Sequence, residues 1–395
     1  MSLLRREVSG ETAESILRDR LGRRTGSHHV TTSTAMRHSA VWACVRLRAD
    51  LVSTMPVDVF KPIVTGSPVT IEVAKPPVLI EPSSHGDGHP VDIVEWMYST
   101  QMDLDRHGNA IGPITARDGA GLPARIDLVP AEDVRVVVKG GYVVEYQIGR
   151  TTYTPREVWH ERQYTVPGLH VGLSPIAYAA WSISGYLSAQ EFALDWFQGG
   201  AQPSSTLKNE ARELKPLEAE KTKDRFMASV RTGEPFVHGK DWTYTAVGSK
   251  AAESAFLEEM KYGVADVCRF FGVPGDMIDA PPAGSSVTYA NITQRNLQLL
   301  IMNLGPAVTR REKALSRLVP NPRFVKLNSD AMLRMDPLQR SQVLLAQVAG
   351  KIRTPSEARA LDNLPPFTQA QLAELKALQI LDDRSPAKTA PGGTS

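Results

Sequence analysis

The segment Asp103-Leu104-Asp105-Arg106-His107-Gly108 sets oxygen and nitrogen donors at alternate positions ahead of a glycine, as a calcium-binding loop does. Such a loop closes on an acidic ligand at its twelfth position. That position is Ile114, so the ligand set is incomplete and no metal site is expected. Gly172-Leu173-Ser174-Pro175-Ile176 resembles the turn that presents a nucleophilic serine, but Ile176 stands where the second glycine belongs and Pro175 disturbs the turn. Ser174 is better accounted for as a helix cap. A hydrolase using Ser174 or His160 is the enzymatic alternative, since an active site assembled from distant residues leaves no spacing signature. No phosphate-binding GxxxxGK[ST], no CxxC and no HExxH occurs, and the nine histidines are scattered apart from His28-His29. No cofactor and no enzymatic activity are therefore expected. Cys44 and Cys268 lie far apart, each in a helix-like apolar pattern, and are expected as buried, reduced thiols.

Positioning such residues takes a sizeable fold, and 395 residues allow two or three modules. With 42% hydrophobic and 22% charged residues the chain is of the folded, soluble class. Its 45 basic and 43 acidic residues leave a formal charge of +2, against the basic excess that static DNA binding requires. A conduit through which DNA slides without sticking is compatible with that balance. The arginine-rich beginning has no apolar run of a secretory signal. The longest uncharged helical stretch, Pro175 to Gln190, is shorter than a bilayer span, so no membrane insertion is expected.

The patterns predict an α+β chain. Residues 1–35 read as a mobile arm with one short helix. Ala40, Cys44, Leu47 and Leu51 form a helical stripe that Pro56 ends. Strand-like runs follow to about 165, with a helix near 91–105 and a hairpin signal at Gly140-Gly141. Ser174 and Pro175 then open a helix to Gln198, about 35 Å long. It carries two apolar stripes: Ile176, Ala180, Ile183, Leu187, Leu194 and Phe197, and separately Tyr178, Trp181, Tyr186, Phe192 and Trp196. One stripe is usual at a monomer surface, so two imply cover on two sides, in a large core or between like neighbours. Residues 200–250 read as a separate strand–helix–strand unit. An amphipathic helix carries Phe256, Met260, Val264, Val267 and Phe271 on one face. The irregular Gly275–Val287 follows, then a helix from Tyr289 to Leu318 with a kink expected at Gly305-Pro306. Residues 336–383 read as helical, with a capping box at Thr354 and Glu357, and 384–395 as a disordered tail.

In order along the chain, "SAVWACVRLRADLVSTMPVDVFK", "DLDRHGNAIGPITARDGAG", "LPARIDLVPAEDVRVVV", "EVWHERQY" with "GLHVGLSPIAYAAWSI", "FQGGAQPSSTLK", "VCRFFGVPGDMI", "TYAN" and "MDPLQRSQVLLAQVAGKIRTPSEARALDNLPP" resemble successive segments of the HK97-like phage portal family. Trp159-His160 ahead of Gly172-Leu173-Ser174-Pro175 is the most specific of these, and their order over nearly the whole chain carries the resemblance. Ile111 replaces the family's usual aromatic, and Thr354-Pro355-Ser356 its usual asparagine.

The resemblance implies a portal fold: a wing at 36–173, a stem helix at 174–199, a clip at 200–250, a second stem helix at 251–272, a tunnel loop at 273–288, a kinked helix returning to the wing at 289–335 and a helical crown at 336–383. It further implies a dodecameric ring at one capsid vertex of a virion assembled in host cytoplasm, a channel for packaging and ejection of double-stranded DNA. The partners implied are the large terminase subunit, the major capsid or scaffold protein and a head–tail adaptor. Within that frame Met277, Ile278, Pro281, Pro282, Ser285, Ser286 and Val287 are expected to face DNA. Tyr178, Trp181, Tyr186, Phe192 and Trp196 are expected to pack between stems, and Lys208, Lys215, Lys221 and Lys223 to offer a docking surface. A different head–tail connector ring is the structural alternative.

Overall fold

The structure is a computed structural model that describes residues 30–65, 67–198, 205–232, 235–237, 240–246, 250–280, 289–329, 337–362 and 364–383. The arm before residue 30, the tail after 383 and His28-His29 lie outside the described residues. The chain divides into two compact units at Ser329/Asp330.

The first unit opens with α1 (Thr32–Ala35), capped by Thr31, and α2 (Ser39–Ser53), whose first turn is capped by His38 Nδ1 accepting from the Ala40 amide at 3.1 Å. The face of α2 that is buried consists of Ala40, Val41, Cys44, Val45, Arg48, Ala49 and Val52. Leu47 and Leu51 are half-buried at its margin, so the inward stripe is rotated from the expected one and includes an arginine. Strand β1 (Val57–Thr65) pairs antiparallel with β2 (Ser67–Val73), and the two-residue strands β3 (Ser83–Ser84) and β4 (Pro90–Val91) precede α3 (Ile93–His107). Asp92 caps α3 through the Glu95 amide at 2.8 Å, and Gly108 ends it at φ +77°, where only glycine sits without strain. Asp103, Asp105 and His107 thus occupy the last turns of a helix, Asp103 and His107 on one side and Asp105 on the other, not the alternate positions of a loop.

Strand β5 (Asn109–Arg117) lies between β6 (Pro123–Ile126) and β10 (Val158–Arg162), all antiparallel. A second sheet is β7 (Val134–Lys139), β8 (Tyr142–Ile148) and β9 (Thr151–Tyr153), and its first turn is made by Gly140 and Gly141, both at positive φ, as the two-residue hairpin requires. Trp96 of α3 meets Trp159 of β10 at 4.8 Å between ring centroids and donates its Nε1–H to the Ile126 carbonyl.

Helix α4 (Pro175–Gln198) begins as read, with Ser174 Oγ accepting from the Ala177 amide. Strand β11 (Ser205–Asn209), α5 (Pro216–Thr232) and β12 (Trp242–Ala246) follow, the two strands antiparallel and the helix held to them by Phe226 against Phe236 and Tyr244. Helix α6 (Lys250–Phe271) packs along α4. Ile176, Ala179, Ala180 and Ile183 of α4, Val267, Cys268 and Phe271 of α6, and the inner face of α2 make one apolar cluster.

After α7 (Tyr289–Gln298) comes a π-helical segment, Leu299–Leu304, and then α8 (Gly305–Ser316). The irregularity expected at Pro306 lies ahead of it: the wider turn resets the hydrogen bonding, and Pro306 falls in the first turn of α8, where its missing N–H costs nothing. Strand β13 (Phe324–Leu327) pairs with β1 from Val57↔Leu327 to Phe60↔Phe324. Glu312 of α8 fixes it, accepting from the Leu327 amide at 3.0 Å and Lys326 Nζ at 2.7 Å.

The second unit holds α9 (Pro337–Ala349), α10 (Pro355–Leu361) and α11 (Gln369–Asp383). The expected capping box is present, with Thr354 Oγ1 accepting from the Glu357 amide and the Glu357 carboxylate from the Thr354 amide. None of its described side chains is buried.

Candidate functional site

Helices α2, α3, α4 and α6 meet where α3 ends and α4 begins, and two glycines let the backbones cross there. A Cβ on Gly108 would stand 2.4 Å from the Leu173 carbonyl oxygen, and one on Gly172 would stand 2.0 Å from the Gly108 oxygen. Asn109 spans the crossing: its Nδ2 donates to the His107 and Gly172 carbonyls at 3.0 and 3.2 Å, and its Oδ1 accepts from the Gly172 amide at 2.7 Å. The same Oδ1 is 3.0 Å from His160 Nε2. An amide oxygen only accepts, so Nε2 carries the proton, and His160 Nδ1 accepts from the Tyr146 hydroxyl at 3.0 Å. Burial holds His160 neutral, with its pKa lowered to about 3. Ser174 donates to the Arg106 carbonyl while capping α4. His160 and Ser174 are therefore committed to separate partners, and neither is arranged as base or nucleophile toward the other.

A buried polar network adjoins this crossing. Arg48 Nε lies 3.1 and 3.0 Å from the two Asp105 oxygens, and Arg48 Nη1 donates to the Phe271 carbonyl at the end of α6, at 3.1 Å. Asp105 also accepts from Gln101 Nε2 and Gln163 Nε2, both at 2.9 Å. Burial opposes the Arg48 charge, but the Asp105 carboxylate together with Tyr164 and Cys44 outweighs it and raises the guanidinium pKa above its ordinary value. Arg311 donates to Thr100 and, at 3.2 Å, to Gln101 Oε1, and lies 3.3 Å from Glu161 Oε2. Burial moves both of that pair toward neutrality, Glu161 upward and Arg311 downward. These residues come from four helices, α2, α3, α6 and α8, and from the end of strand β10, so the network ties the sheet to the end of α6. Charged residues scattered from 48 to 311 give no sequence signal of such a cluster.

The expected surface residues divide. Trp181, Phe192 and Tyr178 of α4 stand 70%, 63% and 42% exposed, on the side away from the apolar cluster. Tyr186 is engaged within the chain: its ring stacks on His38 at 3.7 Å and lies against Gly263 of α6. The Trp196 side chain lies outside the described residues. Lys208, Lys215, Lys221 and Lys223 are all exposed around the strand–helix–strand unit. Met277 and Ile278, expected to face DNA, lie half-buried in a short 3-10 helix with one side packed on the apolar cluster of α2, α4 and α6. Pro281, Pro282, Ser285, Ser286 and Val287 lie outside the described residues. Beside this 3-10 helix opens a groove of about 960 Å³, walled by α6, the Gly272–Asp276 turn and Arg295, Gln298 and Asn303. Cys268 lines it, and Cys44 touches Cys268 from beneath. Among the described residues no group of histidine, cysteine and acidic side chains could hold a metal, and no helix is long and apolar enough to cross a membrane.

The model of the family described as "Phage portal protein" matches residues 39–363. The chain is 26% identical to the portal protein of Enterobacteria phage HK97 over 374 residues, covering 90% of this chain and 85% of that protein. The crystal structure of an HK97-family phage portal protein from Corynebacterium diphtheriae superposes with a TM-score of 0.57 at 17% identity, covering 78% of this chain and 100% of that one. A chain in the neck of a native gene transfer agent particle, computed with C12 symmetry, gives 0.55 at 19%, covering 85% and 94%.

Proposed function

The chain belongs to the phage portal protein family, and on that premise we propose that twelve copies close into a ring at one capsid vertex, forming the channel for double-stranded DNA in packaging and ejection. The α+β architecture is that of the family's solved members, and the protein is a structural subunit, not an enzyme.

One observation carries the ring: α4 buries Ile176, Ala180 and Ile183 inside the chain yet leaves Tyr178, Trp181, Phe192 and Leu194 exposed on the same long helix. A closed ring in which each subunit meets two neighbours through different faces covers such a surface. The neck particle with C12 symmetry supports the number of copies. Under this reading residues 36–173 with β13 form the wing, α4 and α6 the stem, β11–α5–β12 the clip, and the second unit the crown. The segment 273–288 is the tunnel loop, in which Met277 and Ile278 stand half-buried against the apolar cluster.

The channel works by geometry and weak fields. A subunit with a formal charge of +2 attracts phosphates without holding them, so that DNA keeps moving. The exposed Lys208, Lys215, Lys221 and Lys223, interleaved with Glu210, Glu213 and Glu220, offer the terminase motor and then the head–tail adaptor a mixed-charge docking surface. Capsid or scaffold protein nucleates the ring during assembly in host cytoplasm. Negative-stain electron microscopy with light scattering tests the ring: closed rings with a central hole the width of duplex DNA are expected. A protein that stays monomeric even when co-expressed with its capsid and scaffold proteins would overturn the reading.

A further inference from the structure

The geometry points to Cys268 and Cys44 as a redox site: Cys268, reached through the groove beside α6, is oxidised by a small peroxide, and Cys44 closes a disulfide that joins α2 to the end of α6.

Three observations converge. Both cysteines are free and buried, and they stand in the contact between α2 and α6, thiol against thiol. They differ in access. Cys44 is wholly enclosed, whereas Cys268 forms part of the wall of the open groove of about 960 Å³. The surroundings also divide the roles. The hydrogen bond from Cys44 favours the thiolate of Cys268 and lowers its pKa, with Arg269 adding to the effect. That same hydrogen bond, with burial, raises Cys44 and keeps it protonated. A nucleophilic thiolate at the groove and a protonated thiol behind it are the two halves of a peroxide-driven disulfide.

The steps balance. The Cys268 thiolate attacks one oxygen of hydrogen peroxide, the O–O bond breaks, and the departing hydroxide takes a proton from solvent as water. The resulting sulfenic acid is attacked by the Cys44 sulfur, the S–O bond breaks, and the Cys44 proton leaves with the hydroxide as a second water. Two thiols have lost two electrons, and one peroxide has become two waters. The chemistry stands on the chain alone, while its use rests on the portal reading. A subunit assembled in a reducing cytoplasm carries the open thiols, and one carried in a released particle meets oxidant and becomes stapled.

The full-length protein, in whatever assembly it is purified, is treated with hydrogen peroxide, quenched with catalase, denatured and labelled with a maleimide of high mass. Two labels per chain before treatment, none after, and two again after dithiothreitol are expected, with an internal peptide cross-link between Cys44 and Cys268 by mass spectrometry. Iodoacetamide on the untreated native protein is expected to modify Cys268 at least about tenfold faster than Cys44. Two labels surviving peroxide, disulfides only between chains, or Cys44 reacting first overturns the proposal. The label count does not depend on ring formation, so its failure is distinct from failure of the portal reading.

Discussion

Replacing Asp105 by alanine removes the acceptor around which Arg48, Gln101 and Gln163 converge. The Arg48 side chain is 3% exposed, and without Asp105 the hydrogen-bond partner left to it among the described residues is the neutral Phe271 carbonyl. Breaking a buried pair by deleting one member costs about 3–5 kcal/mol, mostly because the surviving charge stays buried. Each glutamine donor left without an acceptor adds about 1–3 kcal/mol unless the amide finds another. A loss of about 4 kcal/mol or more is therefore expected, a large share of the roughly 5–15 kcal/mol that stabilises a typical domain. Urea unfolding of the full chain measures it, with Trp96 and Trp159 in the core as fluorophores. The companion is the double variant Arg48→Met/Asp105→Leu, which removes both charges and keeps apolar bulk. It is expected to fall short of the sum of the single losses by at least about 2 kcal/mol. A single-variant loss below about 1 kcal/mol, or additive losses in the cycle, would refute the claim that this pair is a coupled buried unit.

Gly172→Ala forces a methyl into the 2.0 Å gap to the Gly108 oxygen, and a loss of soluble protein or of more than about 3 kcal/mol by urea unfolding is expected; near-wild-type stability would mean the crossing can open. His160, held near 3 in the folded chain against 6.5 unfolded, binds its proton only on unfolding across that interval. Its contribution is whole above pH 6.5 and drains as pH falls toward 3, by up to about 1.4 kcal/mol per pH unit. His160→Gln is expected to flatten the pH dependence of the urea midpoint there, and unchanged slopes in the two proteins count against it. Trp181→Ala, at a site 70% exposed, should change the unfolding free energy of the isolated chain by less than about 0.5 kcal/mol yet sharply lower ring yield by electron microscopy. Rings at wild-type yield would remove Trp181 from the subunit contact.

Local rules were readable from sequence wherever a few adjacent residues decide the outcome. Gly140-Gly141 makes its hairpin, Ser174 and Thr354 cap their helices, and the alternating runs at 205–209 and 242–246 pair with one another. The stripe on α2 is rotated from the expected one because Arg48 faces inward, where the Asp105 carboxylate and the Phe271 carbonyl receive its guanidinium. Met277 and Ile278 lie in a stretch rich in glycine and proline, and only the three-dimensional placement of the apolar cluster behind them gives them a half-buried side. The second stripe of α4 carried the clearest functional signal, and even there Tyr186 was inseparable from its neighbours until His38 and Gly263 were seen against it. Cys44 and Cys268, 224 residues apart in the chain by number, could be predicted buried but not adjacent.

The pairing of β1 with β13 has a bearing on how the chain is made. Val57 to Phe60 find their partners in Phe324 to Leu327, about 270 residues later. At the usual pace of about 5–20 residues per second, a ribosome takes roughly 15 to 50 s to deliver that partner. Through this interval β2 can cover one edge of β1, but the other edge stands open with Val57 and Val59 beside it. Every nascent subunit thus carries a sticky strand edge until Phe324 to Leu327 have been made, and in a host filled with simultaneous copies this is where chaperones have most reason to bind.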